Sequence, residues 1–312
     1  MKHARTRWAM IGLGLQAGRL ARAMQNAKDH ELVAVFSNTP EHAREFAAEW
    51  GAVPHQSLDT LFADSGIDAV CIASPNHLHT EQVLAAARAG KHILCEKPLT
   101  LSLSEARVIA RAVKKSGKQF FVDYHLRMHP EALEAKRILS QKKLGDLSHV
   151  EMHWSIGGLA QKKLPPLPVH MRWRENPEQA GGGALMARGV HLFDLLRFIT
   201  GQEVRETRAW SDATRSMVDR TAIGVFILDG GAPALITTSK AIPGADNRIM
   251  IYGTKGRLEL RNIFADDVQP LYVKVFDSFS DALRGKKTPL ATLDDGIAAV
   301  MMTEAFLSSA KQ

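Results

Sequence analysis

The chain has 312 residues, of which 45% are hydrophobic and 23% are charged, a balance typical of soluble globular proteins. Such a length allows two domains, each with its own core. No apolar run approaches the roughly 20 residues that a membrane-spanning helix needs, and the basic N-terminal residues show no convincing signal peptide. Cys71 and Cys95 fall in apolar runs and are expected to be reduced. We therefore expect a cytoplasmic protein without a membrane partner.

The formal net charge of +7 raises the question of a nucleic-acid partner. The 40 Lys and Arg residues are scattered, however, with no run longer than two and no interleaved aromatic residues. A basic surface equally suits an anionic dinucleotide or a sugar-derived substrate. We therefore favour a small-molecule partner and predict no nucleic acid.

Strand-like and helix-like runs alternate in the first part of the chain, over residues 1–124. Alternation with short connections predicts right-handed crossovers and a parallel sheet. The predicted strands are 8–11, 31–36, 69–73, 92–95 and 119–123, and the predicted helices are 19–28, 40–50, 80–89 and 102–115. For the helix over 40–50, Thr39 is the predicted N-cap and Gly51 the stop.

The order of predicted strands and helices changes in the second part, residues 125–312. Consecutive strands without intervening helices predict a mostly antiparallel sheet, hence an α+β domain. The predicted strands are 147–155, 206–210, 221–228, 234–239, 248–252 and 257–260, with helices over 130–140, 184–200 and 295–310. The fold class is therefore α/β, with a second α+β domain built on an open, mostly antiparallel sheet.

A glycine loop follows the first strand and reads G-x-G-x-x-A. Gly12 permits the tight turn, Gly14 lets the backbone approach a pyrophosphate, and Ala17 allows the helix to pack on the strand. The helix N-terminus then attracts the phosphates. Strand, loop and helix stand in the required order, so the pattern predicts a Rossmann domain that binds a dinucleotide.

The end of the second strand discriminates between nicotinamide cofactors. A protein that binds NAD usually places an acid here, and an acid repels the 2′-phosphate of NADP. This chain has Ser37, Asn38 and Thr39, with His42 and Arg44 just beyond. The pattern favours NADP(H) and leaves NAD(H) open, since Ser-Asn-Thr-Pro also suits a plain turn and helix cap.

Two further strand ends point into the crevice where open α/β sheets bind ligands. Lys97 follows one of them, where it can hold a cofactor or exchange a proton with a reacting oxygen. Asn76 follows the other and suits the cofactor ribose or amide. His77 and His79 lack an accompanying cysteine or carboxylate cluster, so we predict no metal.

His191 is the best candidate for a general acid or base, because its ordinary pKa lies near neutrality. It follows three consecutive glycines, Gly181 to Gly183. On an α-helix it shares a face with Ala187 and with Asp194. The alternative is a buried structural histidine satisfied by Asp194, and the residues alone leave both open.

In order and spacing, these motifs resemble those of the Gfo/Idh/MocA family, the glucose–fructose oxidoreductase and inositol dehydrogenase group. Within it, the chain is most similar to the 1,5-anhydro-D-fructose reductase branch. The matching pieces are the Gly12/Gly14 loop, Ser74–His79, Ala89–His92, Glu96–Pro98, Gly181–Gly183 and His191–Asp194, and for the branch Ser37, His125–Arg127 and Trp173–Arg174.

The resemblance implies an NAD(P)-dependent oxidoreductase acting on CH–OH groups of a sugar-like or cyclic polyol or ketone substrate. It also implies homodimers or homotetramers paired through the C-terminal sheet. Lys97 would contact nicotinamide and substrate oxygen, and His191 would carry the proton. The expected cofactor contacts are Gly12, Gly14, Leu15, Gln16, Ser37, Asn38, Thr39, His42, Ser74, Pro75, Asn76, His79, Glu96 and Lys97. The expected substrate contacts are His125, Arg127, Arg174 and Asp194.

One departure from the family pattern bears on the reaction. The family usually carries Asp four residues before its histidine, where this chain has Ala187 followed by Arg188. Three readings follow: His191 and Lys97 suffice, a substrate carboxylate substitutes for the missing acid, or the chemistry is not ordinary alcohol oxidation. The last includes a redox-neutral reaction that uses nicotinamide transiently and a non-catalytic NADP-binding regulator.

Overall fold

The computed structural model describes residues 5–157, 167–242, 245–264 and 267–311. The chain forms two compact units. The first comprises Met1–Met128 and Asp267–Ile297, and the second comprises His129–Asp266 and Ala298–Gln312. The sequence-based division after residue 124 assigned everything beyond it to one domain. The segment 267–297 instead belongs with the first unit, because its helix and short strand pack on the first sheet.

The described residues contain the following helices and strands. In chain order they are β1 (Thr6–Ile11), α1 (Leu15–Asn26), β2 (His30–Phe36), α2 (Pro40–Trp50), β3 (Val53–Pro54), α3 (Leu58–Ala63), β4 (Ala69–Ile72), α4 (His79–Arg88), β5 (His92–Glu96), α5 (Leu103–Ser116), β6 (Phe120–Asp123), α6 (Pro130–Ser140), β7 (Leu147–Ser155), α7 (Pro177–Ala180), α8 (Val190–Thr200), β8 (Val204–Ser211), β9 (Thr221–Leu228), β10 (Pro233–Ser239), β11 (Arg248–Gly253), β12 (Gly256–Leu260), α9 (Gln269–Leu283), β13 (Ala291–Thr292) and α10 (Leu293–Ser309).

The first unit is built on a seven-stranded sheet in the order β13-β6-β5-β4-β1-β2-β3. Strand β1 pairs in parallel with β2 on one side and β4 on the other. The chain therefore reverses its direction of progress beside β1, and ligands of open α/β sheets bind at such a switch point. Strands β4, β5 and β6 are buried almost throughout, which explains their continuous apolar runs.

Local sequence explains where several helices of this unit begin and end. Ser102 and Glu105 form a capping box at the start of α5, which satisfies two backbone donors. Pro40 occupies the first turn of α2, and Gly51 ends that helix in the left-handed conformation at φ +70°. Thr39 precedes α2 as predicted, although its side chain makes no capping bond.

Helix α9 packs against α1 and β1 through a buried aromatic cluster. The indole of Trp8 donates a 2.8 Å hydrogen bond to Nδ1 of His30. Nε2 of His30 therefore carries the proton and lies 2.9 Å from the carbonyl of Phe276. Burial lowers the pKa of His30 to about 4. The sequence reasoning did not predict α9, whose partner residues lie about 250 positions away.

The second unit is built on a six-stranded sheet in the order β12-β11-β7-β10-β9-β8. Strand β10 pairs in parallel with β7, and the other described neighbours pair antiparallel. Burial alternates along β9 and β10, so one face lies against helices and the other is exposed. The prediction of a mostly antiparallel sheet is confirmed.

The helix predicted after the three glycines begins differently from an ordinary α-helix. Residues Leu185–Gly189 form a π-turn, and Val190–Thr200 continue as α8. A π-turn adds a residue to one helical turn, so α-helical periodicity does not relate Ala187 to His191. Such turns are frequent at functional sites.

Candidate active site

The glycine loop fits the phosphates of a dinucleotide. Gly12 has φ +81°, and a Cβ there would lie 2.4 Å from the Cα of Ser74. Gly14 caps α1, and a Cβ at Gly14 would meet nothing within 4 Å. No described side chain caps α1 and its first turn has no acid, so no described side chain occupies the phosphate position at its N-terminus. Leu15, which begins α1, is 71% exposed.

The turn after β2 carries the residues predicted to choose the cofactor. The hydroxyl of Ser37 accepts a 3.2 Å hydrogen bond from the backbone of Thr39, so it also shapes the turn. Asn38 and Thr39 are exposed and His42 is half-buried. Arg44 pairs with Glu41 at 2.8 Å, which neutralises the added cation. This turn therefore does not decide between NADP and NAD.

His79 ties two of the predicted cofactor loops together. Its ring is fully buried, with Nδ1 2.8 Å from the carbonyl of Pro98 and Nε2 3.0 Å from the carbonyl of Ser74. Burial lowers the pKa of His79, and the two carbonyls oppose that shift. The hydroxyl of Ser74 donates to Gln82 at 2.6 Å. The structure thus gives His79 a role in holding the loops, while cofactor contact stays a prediction.

Pro75 and Asn76 lie half-buried at the end of this loop, where the chain enters a short helical turn. Lys97 is half-buried directly after β5, and its peptide bond to Pro98 is cis. The Ser74 loop, Lys97 and the glycine loop all follow the carboxyl ends of parallel strands of one sheet. That edge is where the sequence placed the cofactor.

A buried pair of acids lies beside Lys97. Glu96 and Asp123 end β5 and β6 and stand opposite each other in the parallel register. Burial raises the pKa of both, and the charge of Glu96 raises the pKa of Asp123 further. Two adjacent carboxylates cannot both stay ionised in a buried site, so the pair holds one shared proton. The backbone N–H of Lys97 donates to Glu96 at 3.1 Å.

His125 and Tyr272 close this cluster. Their rings lie 4.4 Å apart between centroids. Burial and the nearby positive charges of Lys97 and Arg19 lower the pKa of His125 to about 3, so it is neutral. Burial and the neighbouring acids raise the pKa of the Tyr272 hydroxyl far above its usual range, with the amide of Gln16 opposing that shift. Tyr272 can therefore act only as an uncharged hydrogen-bonding group.

Arg127 makes a contact inside its own unit. It is buried, and its guanidinium bonds both oxygens of Asp295, at 3.1 and 3.0 Å. Burial by itself would raise the pKa of Asp295, but Arg127 and Thr292 hold it below its ordinary value. The substrate contact expected of Arg127 stays a prediction.

In the second unit, His191 lies near the start of α8 and is buried. Its ring centroid lies 5.6 Å from that of Trp154 on β7. The same indole stacks on Phe264, with 4.7 Å between ring centroids. Asp194 is also buried, three residues after His191, and Ala187 is half-buried. The imidazole of His191 therefore packs beside the indole of Trp154, which is itself held by its contact with Phe264.

Asp219 explains the last of the three glycines, Gly183. Its carboxylate accepts hydrogen bonds from the N–H of Gly183 at 2.6 Å and of Leu185 at 2.7 Å. A Cβ at Gly183 would lie 1.8 Å from the carbonyl oxygen of Asp219, so only glycine fits. Asp219 thereby fixes the segment that carries Arg188 and His191.

Three cations lie near the same segment. Arg188 is half-buried in the π-turn, with its guanidinium carbon 5.9 Å from the ring of Trp154. Lys240 directly follows β10, and both Arg188 and Arg174 lie close enough to affect its pKa. Arg174, expected at the substrate site, is exposed and lies over Trp173 at 4.5 Å.

Sequence reasoning missed several of these residues. Asp123 ends a buried strand just as Glu96 does, and that signal was available. Tyr272, Asp219 and Lys240 had no local signal, because each is brought to its cluster from a distant part of the chain; Asp219, for example, lies 34 positions after Leu185. The described residues contain no group of three or more His, Cys, Asp or Glu arranged for a metal. Nor is any described helix long and apolar enough to cross a membrane.

Comparison with known proteins adds independent findings. Residues 6–124 match the profile of the GFO/IDH/MocA oxidoreductase family with an NAD-binding Rossmann fold. Residues 132–259 match the GFO/IDH/MocA C-terminal domain.

Two curated relatives and one solved structure illustrate the range of proteins that this chain resembles. The chain is 28% identical to 1,5-anhydro-D-fructose reductase of Ensifer adhaerens, over 93% of this chain and 92% of the relative. It is 25% identical to 2,7-anhydro-N-acetylneuraminate hydratase of Escherichia coli, over 81% of this chain and 67% of the relative. Levoglucosan dehydrogenase, in complex with NADH and L-sorbose, superposes with a TM-score of 0.90 at 22% identity, covering 99% of this chain and 97% of that one.

The glycine loop at the switch point, Lys97 after β5 and His191 after the three glycines stand in a chain whose two parts match the two profiles of one family. The chain belongs to the Gfo/Idh/MocA family of NAD(P)-dependent oxidoreductases.

Proposed function

We propose that this NAD(P)-dependent oxidoreductase interconverts a hydroxyl and a carbonyl group on a sugar-like or cyclic polyol substrate. The observation that carries the proposal is Lys97, half-buried beside an acid pair at the same sheet edge as the glycine loop. When bound, the nicotinamide ring supplies or accepts the hydride. A reductase and a dehydrogenase among the similar proteins support the sugar-like substrate class.

The roles of the chain's own residues follow from their chemistry. Lys97 donates a hydrogen bond to the substrate oxygen and stabilises the negative charge that develops there. His191 gives or takes the proton of that oxygen, since an imidazole exchanges protons near neutral pH. His79 positions Lys97 by fixing the carbonyl of Pro98.

For the cofactor we favour NADP(H) over NAD(H). The turn after β2 offers Ser37, Asn38, Thr39 and His42 and lacks an acid at the strand end itself. Titrating the protein with each cofactor in turn measures the preference. Tighter binding of NADPH than NADH is the expected result, and tighter NADH binding would reverse this assignment.

We also propose that the exposed face of the second sheet pairs with a second copy of the chain. Trp210, Ile223, Val225 and Leu235 are 56%, 37%, 39% and 42% exposed on neighbouring strands. A contiguous apolar patch of this kind marks an interface in soluble proteins. Light scattering of the purified protein tests for a dimer or tetramer.

A redox-neutral reaction is the second candidate. A hydratase stands among the relatives, and Ala187 replaces the acid that the family usually carries. Copurified cofactor and product formation without net absorbance change at 340 nm would favour this candidate. Cofactor binding without turnover of any sugar or ketone would instead favour a non-catalytic regulator.

The first prediction tests the leading function through Lys97→Ala. Loss of the charged donor should remove about 4 kcal/mol of transition-state stabilisation, a rate loss of about a thousandfold. Steady-state turnover of a sugar or cyclic ketone with NADPH measures it, and cofactor titration shows whether binding survives. Lys115→Ala, on the exposed face of α5, is the matched control. Unchanged turnover in the Lys97 variant would refute the assignment.

A further inference from the structure

A group of cations lies near the segment that carries His191. Arg188 and Lys240 are half-buried, and Arg174 lies within electrostatic range of Lys240. Burial lowers the pKa of Lys240, with Asp219 and Glu175 opposing the shift and Arg188 and Arg174 adding to it. Those two acids lie close enough to Lys240 to raise its pKa.

Neither acid can serve as a full partner for the cations. Both carboxylate oxygens of Asp219 already accept backbone hydrogen bonds, from Gly183 and Leu185. Glu175 is exposed, where solvent screens its charge. Neither acid therefore neutralises Arg188 or Lys240 through a direct ion pair among the described residues.

One atom of Arg188 gives a specific reason to expect a bound anion. Its Nη1 is buried and bonds no acceptor in the part of the chain that the structure describes. Burial lowers the pKa of Arg188, yet a guanidinium stays charged at any pH at which proteins are folded. A buried charged donor without an acceptor is costly, and a bound oxyanion would remove that cost.

The geometry places this charge beside the candidate catalytic residue. Trp154 lies 5.9 Å from the guanidinium carbon of Arg188 and 5.6 Å from the ring of His191. One indole ring therefore spans both groups. Trp154 stands opposite Thr238 in the pairing of β7 with β10, two residues before Lys240. All of these groups belong to the second unit.

We propose that Arg188 and Lys240 form an oxyanion subsite, so that the substrate carries a carboxylate or a phosphate close to its reacting carbinol. The inference rests on the proposed function for the identity of the reacting group, but not for the binding itself. Guanidinium groups bind both anions through paired hydrogen bonds. With Ala187 in place of an acid, the chain itself supplies no carboxylate at that position.

Binding, rather than turnover, tests the subsite. The protein loaded with NADPH is titrated calorimetrically with D-glucuronate, D-glucose 6-phosphate and D-glucose. We expect at least one of the two anions to bind about tenfold or more tightly than glucose. Arg188→Leu and Lys240→Met should each weaken that anion by about tenfold and leave glucose unchanged. Arg188→Lys should recover part of the loss.

Arg257→Leu is the matched control, because it removes an exposed arginine from β12 of the same unit. It should change the affinity for either anion by less than about twofold. Preference for glucuronate identifies a carboxylate site, and preference for glucose 6-phosphate identifies a phosphate site. Equal affinity for all three sugars, no binding of either anion, or variants that bind like the parent would each overturn the proposal.

Failure of the subsite and failure of the proposed function remain distinguishable. Anion binding through Arg188 without hydride transfer to any sugar would keep the subsite and refute the oxidoreductase reaction. Hydride transfer to a sugar in the parent, with the same affinity for both anions in Arg188→Leu as in the parent, would keep the reaction and refute the subsite.

Discussion

The two units bury charge in opposite ways. In the first, Glu96 and Asp123 lie side by side and relieve their repulsion by holding a proton, while His30 stays neutral by giving one up. In the second, Arg188 cannot lose its proton, and the two carboxylate oxygens of Asp219 accept backbone hydrogen bonds. Groups that titrate neutralise themselves. Groups that do not must find a partner, which is why the second unit is the one expected to bind an anion.

Among the variants that test this comparison, the largest loss of stability is expected from Gly183→Ala in the second unit. A Cβ there would lie 1.8 Å from the carbonyl oxygen of Asp219, so the backbone must separate and the carboxylate loses its donors. We expect a loss of about 4 kcal/mol or more of unfolding free energy, measured by urea denaturation. Gly18→Ala is the control, because a Cβ at Gly18 meets nothing within 4 Å. Equal stability of the two variants would show that Asp219 does not hold the segment.

The next effect concerns His30, which sheds its proton on folding. Its pKa is about 4 in the folded chain and about 6.5 when unfolded. Its contribution to stability is therefore full above pH 6.5 and lost as the pH falls to 4, about 3 kcal/mol in all. His30→Gln keeps a hydrogen-bonding side chain but cannot titrate. Its stability should fall less steeply than that of the parent over this pH range.

Denaturant unfolding at pH 7, 6, 5 and 4 measures that difference in slope. His149→Gln, which replaces a partly exposed histidine, is measured in parallel so that the effect of a histidine-to-glutamine change outside the core is known. If the unfolding free energies of the parent and of His30→Gln changed equally with pH, burial would not be what keeps the imidazole of His30 neutral.

The smallest effect is expected from Asp123→Asn. The acid pair has raised pKa values, so its contribution to stability is full below the ordinary carboxyl range near pH 4 and is lost as the pH rises through the raised values. In Asp123→Asn, the amide N–H donates a hydrogen bond to Glu96, so the pair no longer needs to share a proton. Relative to the parent, the variant should gain about 1 kcal/mol between pH 5 and pH 9.

Thermal unfolding at several pH values measures this gain. Asp229→Asn, at an exposed position, is the matched control for the same change of side chain. A parent that becomes more stable than Asp123→Asn at pH 9 would mean that both acids are ionised and separately satisfied.

Prediction from sequence was most complete where one short segment contains both the secondary structure and the residues that form the site. The strand before Gly12, the loop itself and the helix after it occupy the continuous segment 6–26, and the structure places them at the switch point. The same holds for Lys97, which directly follows a continuous apolar strand. Period, turn chemistry and strand ends are local properties, so the sequence displays them.

Prediction failed where distant segments meet. Helix α9 joins the first unit from residues 269–283, because Trp8 and His30 offer it a buried aromatic surface. The π-turn at Leu185–Gly189 depends on Asp219, which lies 36 positions after Gly183. Helical periodicity could not reveal either feature, because both depend on a partner outside the helix.

The sequence alone determined the two-part α/β organisation, the dinucleotide loop and the segments that carry Lys97 and His191, because each rests on short-range pattern. Only the tertiary structure decided the charge of those surroundings. It brought Asp123 beside Glu96, Asp295 to Arg127, and Lys240 near Arg188. Whether a buried group titrates, pairs or stays in need of an anion depends on neighbours that only folding assembles.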